Sequence, residues 1–285
     1  MSIYNKTVYI TGGSSGIGLS IALALAKKNN KVCLFARDAA KLNHAQSMIS
    51  ETGAQCYSYS VDTTNYSSLK DTINYAVRET GAPDILINCV GRARPHRFEN
   101  ISGEMMMDTM QANFGSAWNA IQAVLPHMKS NGGGRIVNTS SVGGFVGVFG
   151  YSDYSASKFA LVGFSEALRQ EMKRFNIKVQ VLCPPDTDTP GFVLENRTKP
   201  EETKVISQSA SLMTAEDVAA YTVRAMQGND FMIIPGFEAK LSYWLKRYCP
   251  FILDWVLDSI VSKVQRERRN PVEAKRYRIR NLAQA

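Results

Sequence analysis

A glycine-rich turn near the N-terminus, between a strand-like run and a helical run, places the strongest constraint on the fold. Residues 7–11 are apolar and predict a buried strand, and residues 19–28 follow a helical pattern. Glycine lets the backbone turn sharply, and a helix N-terminus presents unpaired N–H groups to an anion. The order strand, glycine turn, helix therefore predicts a dinucleotide site. The residues expected to contact the cofactor in this turn are Gly12, Ser14, Ser15, Gly16, Ile17 and Gly18.

Strand-like and helical runs alternate along the first 235 residues. Further strands are predicted at residues 31–36, 57–61, 84–91, 135–139, 178–183 and 231–234, and further helices near residues 104–130, at 154–175 and from about 214. Such alternation predicts an α/β fold, a Rossmann-type doubly wound sheet of about seven parallel strands with helices on both faces. We expect a catalytic domain at residues 1–235, with a substrate loop at 184–213, and an amphipathic helical tail at 236–285.

Tyr154 and Lys158 are spaced so that a helix would place them on one face. A positive charge within ~4–6 Å favours a phenolate, so we expect the pKa of Tyr154 to be lowered. Ser141 ends an apolar run, and its hydroxyl can donate a hydrogen bond to a substrate carbonyl oxygen. Tyr-x-x-x-Lys alone is also typical of surface helices. The glycine turn in the same chain favours the catalytic interpretation.

The end of the second predicted strand indicates which cofactor is preferred. Arg37 stands where an NAD-specific enzyme usually has an acidic residue, and Lys41 follows one turn later. Both cations can pair with a 2′-phosphate, which favours NADPH over NADH. The alternative is a basic pair on a solvated helix start. Asp62, after the third strand, is expected to contact the adenine.

Together these motifs resemble the short-chain dehydrogenase/reductase family over roughly residues 5–235. The resemblance rests on the glycine turn and on Asn88, Gly91, Asn113, Ser141, Tyr154 and Lys158, in the family's order and spacing. It implies that Tyr154 is the general acid–base and that Lys158 holds the nicotinamide ribose and lowers the tyrosine pKa. It also implies that the serine orients the carbonyl and that Asn113 helps to hold a water. Ser140 adjoins Ser141, so either serine is a candidate.

The family resemblance also extends the predicted cofactor site. The additional residues that it implies are Asn88, Gly91, Tyr154, Lys158, Pro184, Thr187 and Thr189. Two short segments depart from the family pattern. Asn88-Cys89-Val90-Gly91 replaces Asn-Asn-Ala-Gly, which affects packing under the cofactor, and Pro184-Pro185 replaces Pro-Gly, which stiffens the substrate loop.

A longer segment, residues 184–192 and 195–203, is similar to the corresponding loop of 3-ketodihydrosphingosine reductases. Those enzymes reduce a long-chain lipid ketone with NADPH, and the resemblance implies the same substrate here. Asp186 or Asp188 could pair with the substrate amine, or both could simply be solvated. Residues expected to line an apolar channel are Phe145, Val146, Val148, Phe149 and Phe192. The alternatives are reduction of an acyl thioester or a steroid-like ketone, and a non-catalytic NADP-binding regulator.

The net charge of +8 lies mainly in the tail, where residues 236–285 hold 11 Lys/Arg and 5 Asp/Glu. Apolar residues at helical spacing in 241–248 and 253–264 predict helices lying in the interface of an anionic membrane. The alternative is packing against a second subunit in a homodimer or homotetramer. No nucleic-acid partner is expected, and three scattered histidines give a metal site little support. Without a signal-peptide pattern, we expect a cytoplasmic protein, peripheral on the cytoplasmic face of a membrane.

Overall fold

The protein is described by a computed structural model over residues 2–269. Seven parallel strands form one sheet, in the order β3-β2-β1-β4-β5-β6-β9, and β7 pairs with β8 apart from it. The strands are β1 (Thr7–Thr11), β2 (Lys31–Ala36), β3 (Cys56–Ser60), β4 (Ile85–Asn88), β5 (Gly134–Thr139), β6 (Ile177–Leu182), β7 (Thr187–Asp188), β8 (Met213–Thr214) and β9 (Met232–Ile233). The predicted α/β class is confirmed. The order reverses beside β1, and in such sheets ligands bind outside the carboxyl ends of the strands at that point.

Helices cover both faces of the sheet because successive side chains of each strand point to opposite sides. The helices are α1 (Gly16–Ala26), α2 (Ala39–Ser50), α3 (Tyr66–Thr80), α4 (Gly103–Met110), α5 (Ser116–Ser130), α6 (Ser152–Met172), α7 (Pro190–Asn196), α8 (Glu201–Gln208), α9 (Ala215–Ala225), α10 (Phe237–Tyr248) and α11 (Pro250–Arg269). In β1, Val8 and Ile10 pack with α1, α2 and α9, whereas Tyr9 packs with α3, α5 and α6. Each strand in the middle of the sheet is thus buried on both sides.

Two predicted segments differ from the structure. The helix expected near 104–130 is divided by a π-helical turn at Gln111–Gly115, which lies between α4 and α5. The expected substrate loop 184–213 contains α7 and α8, and β7 pairs with β8 where the loop leaves and rejoins the body. We call residues 184–213 the substrate wall. Periodicity did not separate these short helices because each has fewer than nine residues.

The two C-terminal helices pack on the edge of the sheet, beside the turn that follows β5. Ala239 of α10 is buried in a cluster with Phe145 and Val146, and the rings of Tyr243 and Phe145 meet edge to face at 5.2 Å. Leu253 of α11 packs against the same cluster. Within residues 2–269, no helix combines the length and the apolarity that crossing a membrane would need.

Candidate active site

The glycine turn forms a cradle that side chains would fill. Gly12 and Gly16 have positive φ angles of 71° and 53°, a conformation that costs glycine little. A Cβ on Gly18 would lie 2.3 Å from the carbonyl oxygen of Gly12. Ser15 begins α1 without a side-chain cap, so the first N–H groups of the helix have no capping oxygen from it. The turn therefore fits a pyrophosphate, which accepts hydrogen bonds from such N–H groups.

Asn88 and Gly91 lie between this cradle and α6. The Asn88 side chain is buried, accepts a hydrogen bond from Thr11 Oγ1 at 3.1 Å and donates one to Asn138 Oδ1 at 2.9 Å. Its amide thus ties together the ends of β1, β4 and β5. A Cβ on Gly91 would approach Lys158 Nζ to 3.2 Å, so glycine leaves room for that ammonium group. Cys89, one of the family departures, contacts Thr139 Oγ1 through its sulfur at 3.2 Å.

Asn113 is fully buried in the π-helical turn. Its Oδ1 accepts a hydrogen bond from the backbone N–H of Arg92 at 2.8 Å, and its Nδ2 donates to Ser157 Oγ at 2.9 Å. The side chain therefore joins the segment after β4 to α6.

Tyr154 and Lys158 share one face of α6, which begins at Ser152, two residues earlier than expected. Lys158 is buried, and its Nζ lies 5.7 Å from the centre of the Tyr154 ring. The ammonium group also donates a hydrogen bond to the Thr139 carbonyl at 2.9 Å, which fixes it at the carboxyl end of β5. The two predicted catalytic side chains thus face one site.

The expected lowering of the Tyr154 pKa is wrong for the protein on its own. Burial raises the pKa of the phenol, and its interaction with the Ser141 hydroxyl only partly opposes this effect. The negative charges of Glu195 and Asp186 raise it further. Burial also lowers the pKa of Lys158 to about 8, because the charged ammonium loses hydration. The desolvation of both groups could not be read from their spacing.

The structure separates the two candidate serines. Ser140 is buried, and its hydroxyl donates to the Lys158 carbonyl at 3.0 Å, so it holds α6 against β5. Ser141 Oγ accepts a hydrogen bond from the Gly143 N–H at 3.1 Å and interacts with the Tyr154 phenol. The Ser141 hydroxyl proton is therefore available to a carbonyl oxygen. This geometry favours Ser141 as the residue that orients substrate.

Arg37 and Lys41 differ in their surroundings. Arg37 is exposed directly after β2, and its carbonyl accepts a hydrogen bond from Ser60 Oγ at 3.0 Å. Lys41 lies in the first turn of α2, where its Nζ is 3.5 Å from a carboxylate oxygen of Asp38, the residue that caps this helix. Asp62 accepts hydrogen bonds from both the N–H and the hydroxyl of Thr64, at 2.9 and 2.7 Å. Of the two cations, Arg37 is the better placed for a phosphate.

The residues after β6 connect the cradle to the substrate wall. Pro184 accepts a hydrogen bond from the Val142 N–H at 3.1 Å, and Thr187 donates to the Pro185 carbonyl at 2.8 Å. Thr189 caps α7, and its side chain approaches the position of a Cβ on Gly16 to 3.2 Å. Thr189 therefore lies directly against the glycine turn, as a residue between cofactor and substrate must.

The substrate wall contains a buried ionic network that the sequence did not reveal. Lys199, with a side chain only 1% exposed, lies 3.1 Å from Glu195 Oε1 and 3.7 Å from Asp186 Oδ2. Tyr151 donates a hydrogen bond to Glu195, and its ring lies 5.4 Å from that of Tyr154. Two carboxylates thus share one buried lysine beside the predicted catalytic tyrosine. The spacing of Glu195 and Lys199, four residues apart, was the only signal of this pairing in the sequence.

Asp188 stands apart from this network because its side chain is exposed. Burial raises the pKa of Glu195, whereas Tyr151 and Lys199 oppose that shift. A cavity of about 330 Å³ opens between α7 and α8, and its lining includes Asp186, Phe192 and Lys199. Among the expected channel residues, Phe145 and Val146 are instead buried against Val181 in the core.

Fold and site together are those of an oxidoreductase that uses a nicotinamide dinucleotide. The chain belongs to the short-chain dehydrogenase family, whose model matches residues 6–200. It is 42% identical over 229 residues to the 3-dehydrosphinganine reductase of Danio rerio, covering 78% of this chain and 69% of the relative. It is 37% identical over 257 residues to the 3-ketodihydrosphingosine reductase of Dictyostelium discoideum, covering 83% and 76%.

Solved structures share the fold at lower identity. Levodione reductase superposes with a TM-score of 0.75 at 22% identity, over 84% of this chain and 98% of its own. The L-sorbose reductase of Gluconobacter frateurii, complexed with NADPH and L-sorbose, superposes with a TM-score of 0.73 at 24% identity. The match covers 82% of this chain and 96% of that structure. A short chain dehydrogenase/reductase from Burkholderia phymatum, in complex with NAD, superposes with a TM-score of 0.77 at 22% identity. The match covers 86% of this chain and 94% of that structure. At these identities the similarity establishes a shared fold only.

Proposed function

We propose that this oxidoreductase uses NADPH to reduce the 3-keto group of 3-ketodihydrosphingosine to dihydrosphingosine, a step of sphingolipid biosynthesis. The relatives at 37–42% identity carry the names of enzymes for this ketone, and the identity extends over most of the chain. The structural observation that carries the proposal is the ionic network of the substrate wall, which places excess negative charge beside Tyr154. A substrate with an ammonium group next to its ketone matches that charge.

The chain's own residues can activate the ketone. Bound NADPH would supply the hydride. Tyr154 retains its proton because burial raises its pKa, and the protonated phenol is the form that can donate to a carbonyl oxygen. Ser141 has a hydroxyl proton to donate to the same oxygen, which stabilises negative charge as it develops there. Lys158, held by Thr139, would bind the nicotinamide ribose.

The preference for NADPH rests on Arg37. It is an exposed cation at the carboxyl end of β2, and a guanidinium group can bind a phosphate with two parallel hydrogen bonds. Lys41 contributes less in this proposal because Asp38 already neutralises part of its charge. Asp62 would bind on the adenine side. Burial opposes the lowering of its carboxyl pKa, which comes mainly from the hydrogen bonds of Thr64 and to a smaller extent from the charge of Arg37.

The substrate ammonium is proposed to bind at Glu195 and Asp186. These two carboxylates share the single ammonium group of Lys199, so a second cation can be accommodated. Both raise the pKa of Tyr154 through their charge, and Tyr151, which donates a hydrogen bond to Glu195, has its ring 5.4 Å from that of Tyr154. In the substrate, the amine is attached to the carbon next to the ketone. An acid near the phenol can therefore contact the amine while the phenol contacts the ketone.

The proposal is tested with purified protein and NADPH, following absorbance at the nicotinamide band over time. We expect turnover of 3-ketodihydrosphingosine, and a much lower kcat/KM for the same long-chain 3-ketone without its amine. A 3-oxoacyl thioester and a steroid-like ketone serve as competitors. Faster turnover of either competitor than of the amino ketone would overturn the assignment of substrate and leave the reductase class intact.

A further inference from the structure

Four large aromatic side chains are exposed around the corner where α10 meets α11. Trp244, Tyr248, Phe251 and Trp255 are 54%, 62%, 70% and 69% exposed. We call these four residues the aromatic corner. The rings of Trp244 and Tyr248 contact each other with centroids 5.3 Å apart, and Pro250 begins α11 between the two pairs. An exposed apolar patch of this kind marks an interaction site more often than it marks ordinary surface.

The opposite faces of both helices are already used for packing. Tyr243 and Ala239 contact the cluster around Phe145, and Leu253 and Leu257 pack against the same cluster. Two residues of the apolar stripe that the sequence predicted in residues 253–264, Leu253 and Leu257, therefore face the protein, whereas Val256 is 38% exposed. The aromatic corner points the other way and adds nothing to the core. Its exposure needs a partner outside the described part of the chain.

The charge around the corner indicates the chemistry of that partner. Residues 237–269 hold seven Lys/Arg and four Asp/Glu. Lys240 and Arg247 on α10, and Lys263 and Arg266 on α11, are exposed. Tryptophan and tyrosine prefer the interface between lipid and water, and basic side chains are attracted to anionic headgroups. Exposed aromatic residues and a net positive charge on the same two helices thus fit an anionic bilayer.

We propose that the aromatic corner inserts into the headgroup layer of an anionic membrane and holds the enzyme there. α10 and α11 contact Phe145 and its cluster with their inner faces, and Phe145 lies four residues after Ser141. α11 also packs against α8 of the substrate wall. The membrane would therefore lie next to the wall that receives the lipid ketone. This last step rests on the proposed function, whereas membrane binding does not.

A sedimentation assay with vesicles tests the corner directly. The full chain is expected to bind vesicles of phosphatidylcholine with phosphatidylglycerol. Binding should weaken in 0.5 M salt, because the Debye length is then only about 4 Å and the attraction between exposed charges is screened. Phe251→Ala should weaken binding by about fivefold to tenfold, and Trp244→Ala with Trp255→Ala should abolish it. Phe98→Ala is the matched control, since Phe98 is 78% exposed and lies outside α10 and α11.

Two outcomes would overturn the membrane proposal. Equal binding to vesicles of pure phosphatidylcholine would contradict the role of charge. Absence of vesicle binding by the full chain, together with a loss of oligomer mass in light scattering for Trp255→Ala, would make the corner an interface between two copies. Circular dichroism of each variant shows whether it is folded, and Phe251→Tyr, which keeps an interfacial aromatic ring, should restore binding.

Activity separates this inference from the proposed function. The Trp244→Ala, Trp255→Ala variant should lose turnover of the lipid ketone embedded in vesicles and retain turnover of a water-soluble short-chain amino ketone. Equal loss on both substrates would show that the corner supports the fold of the site and would overturn its membrane role. If the wild-type chain binds vesicles but reduces neither ketone, the proposed substrate fails and membrane binding stands.

Discussion

The cofactor cradle and the substrate wall adjoin the same tyrosine but are held together by different kinds of contact. The cradle at residues 12–18 depends on backbone conformation and on space that Gly12, Gly16 and Gly18 leave open. The wall depends on side-chain pairs between segments far apart in sequence, such as Tyr151 with Glu195 and Arg97 with Glu202. The cradle thus depends mainly on local geometry, whereas the wall, which we propose selects the substrate, depends on long-range pairs.

Replacing Tyr154, which lies between the cradle and the wall, should have the largest effect on turnover. Tyr154→Phe removes the proton donor, so we expect kcat to fall by about 10²–10⁴-fold while NADPH still binds. Turnover is measured by nicotinamide absorbance and binding by the change in NADPH fluorescence. Substantial remaining activity would mean that a group other than Tyr154 donates the proton.

A change confined to the wall should affect the amine and spare the ketone chemistry. Glu195→Gln keeps the size of the side chain and removes a charge-assisted contact, so kcat/KM for the amino ketone should fall by about tenfold to a hundredfold. For the same ketone without an amine, kcat/KM should stay within about threefold, since no ion pair with the substrate is lost. Asp188→Asn is the control, because Asp188 is an exposed acid of the same segment. An equal loss on both ketones would assign Glu195 a purely structural role.

A change confined to the cofactor side should alter the choice of nucleotide. Arg37→Ala removes a cation from the proposed 2′-phosphate site and should raise the KM for NADPH about tenfold, with little effect on NADH. Lys41→Ala should have a smaller effect, because Lys41 is paired with Asp38. Steady-state kinetics with both nucleotides measures this difference. Equal losses with NADPH and NADH would falsify the assignment of Arg37.

The smallest expected effect is the dependence on pH that Lys158 introduces. Its pKa is lowered to about 8 in the folded protein, so kcat/KM should decline above about pH 8 as the ammonium group is lost. Between pH 8 and the ordinary lysine pKa, Lys158 holds more protons in the unfolded chain than in the folded protein, so its own contribution to stability should rise with pH, by on the order of 2–3 kcal/mol. The effects of Lys158 on activity and on stability should therefore have opposite signs.

The comparison with Lys158→Met isolates this contribution. The variant should be inactive and lack the contribution of Lys158 to stability, which rises with pH in the wild type, because it has no ammonium group to titrate. Urea denaturation at a series of pH values gives the difference between the two proteins. Parallel stability curves for wild type and variant would show that the pKa of Lys158 is not lowered.

The sequence by itself determined the features that depend on neighbouring residues. Alternating strand and helix patterns predicted the doubly wound sheet, and the spacing of Gly12, Gly16 and Gly18 predicted the cradle that the structure contains. The four-residue spacing predicted that Tyr154 and Lys158 share a helix face. Helical and strand periodicities are local, so these predictions needed no knowledge of how distant segments pack.

Only the tertiary structure decided the properties that depend on burial and on contacts between distant segments. It turned the hydroxyl of Ser140 toward Lys158 and left Ser141 beside Tyr154. Burial made the pKa of Tyr154 rise where charge spacing alone predicted a fall. The wall brought Glu195 to Tyr151, 44 residues away in sequence, and α11 turned Leu253 and Leu257 of its predicted apolar stripe inward. Desolvation and long-range pairing arise from the packed fold, so residue spacing alone cannot specify them.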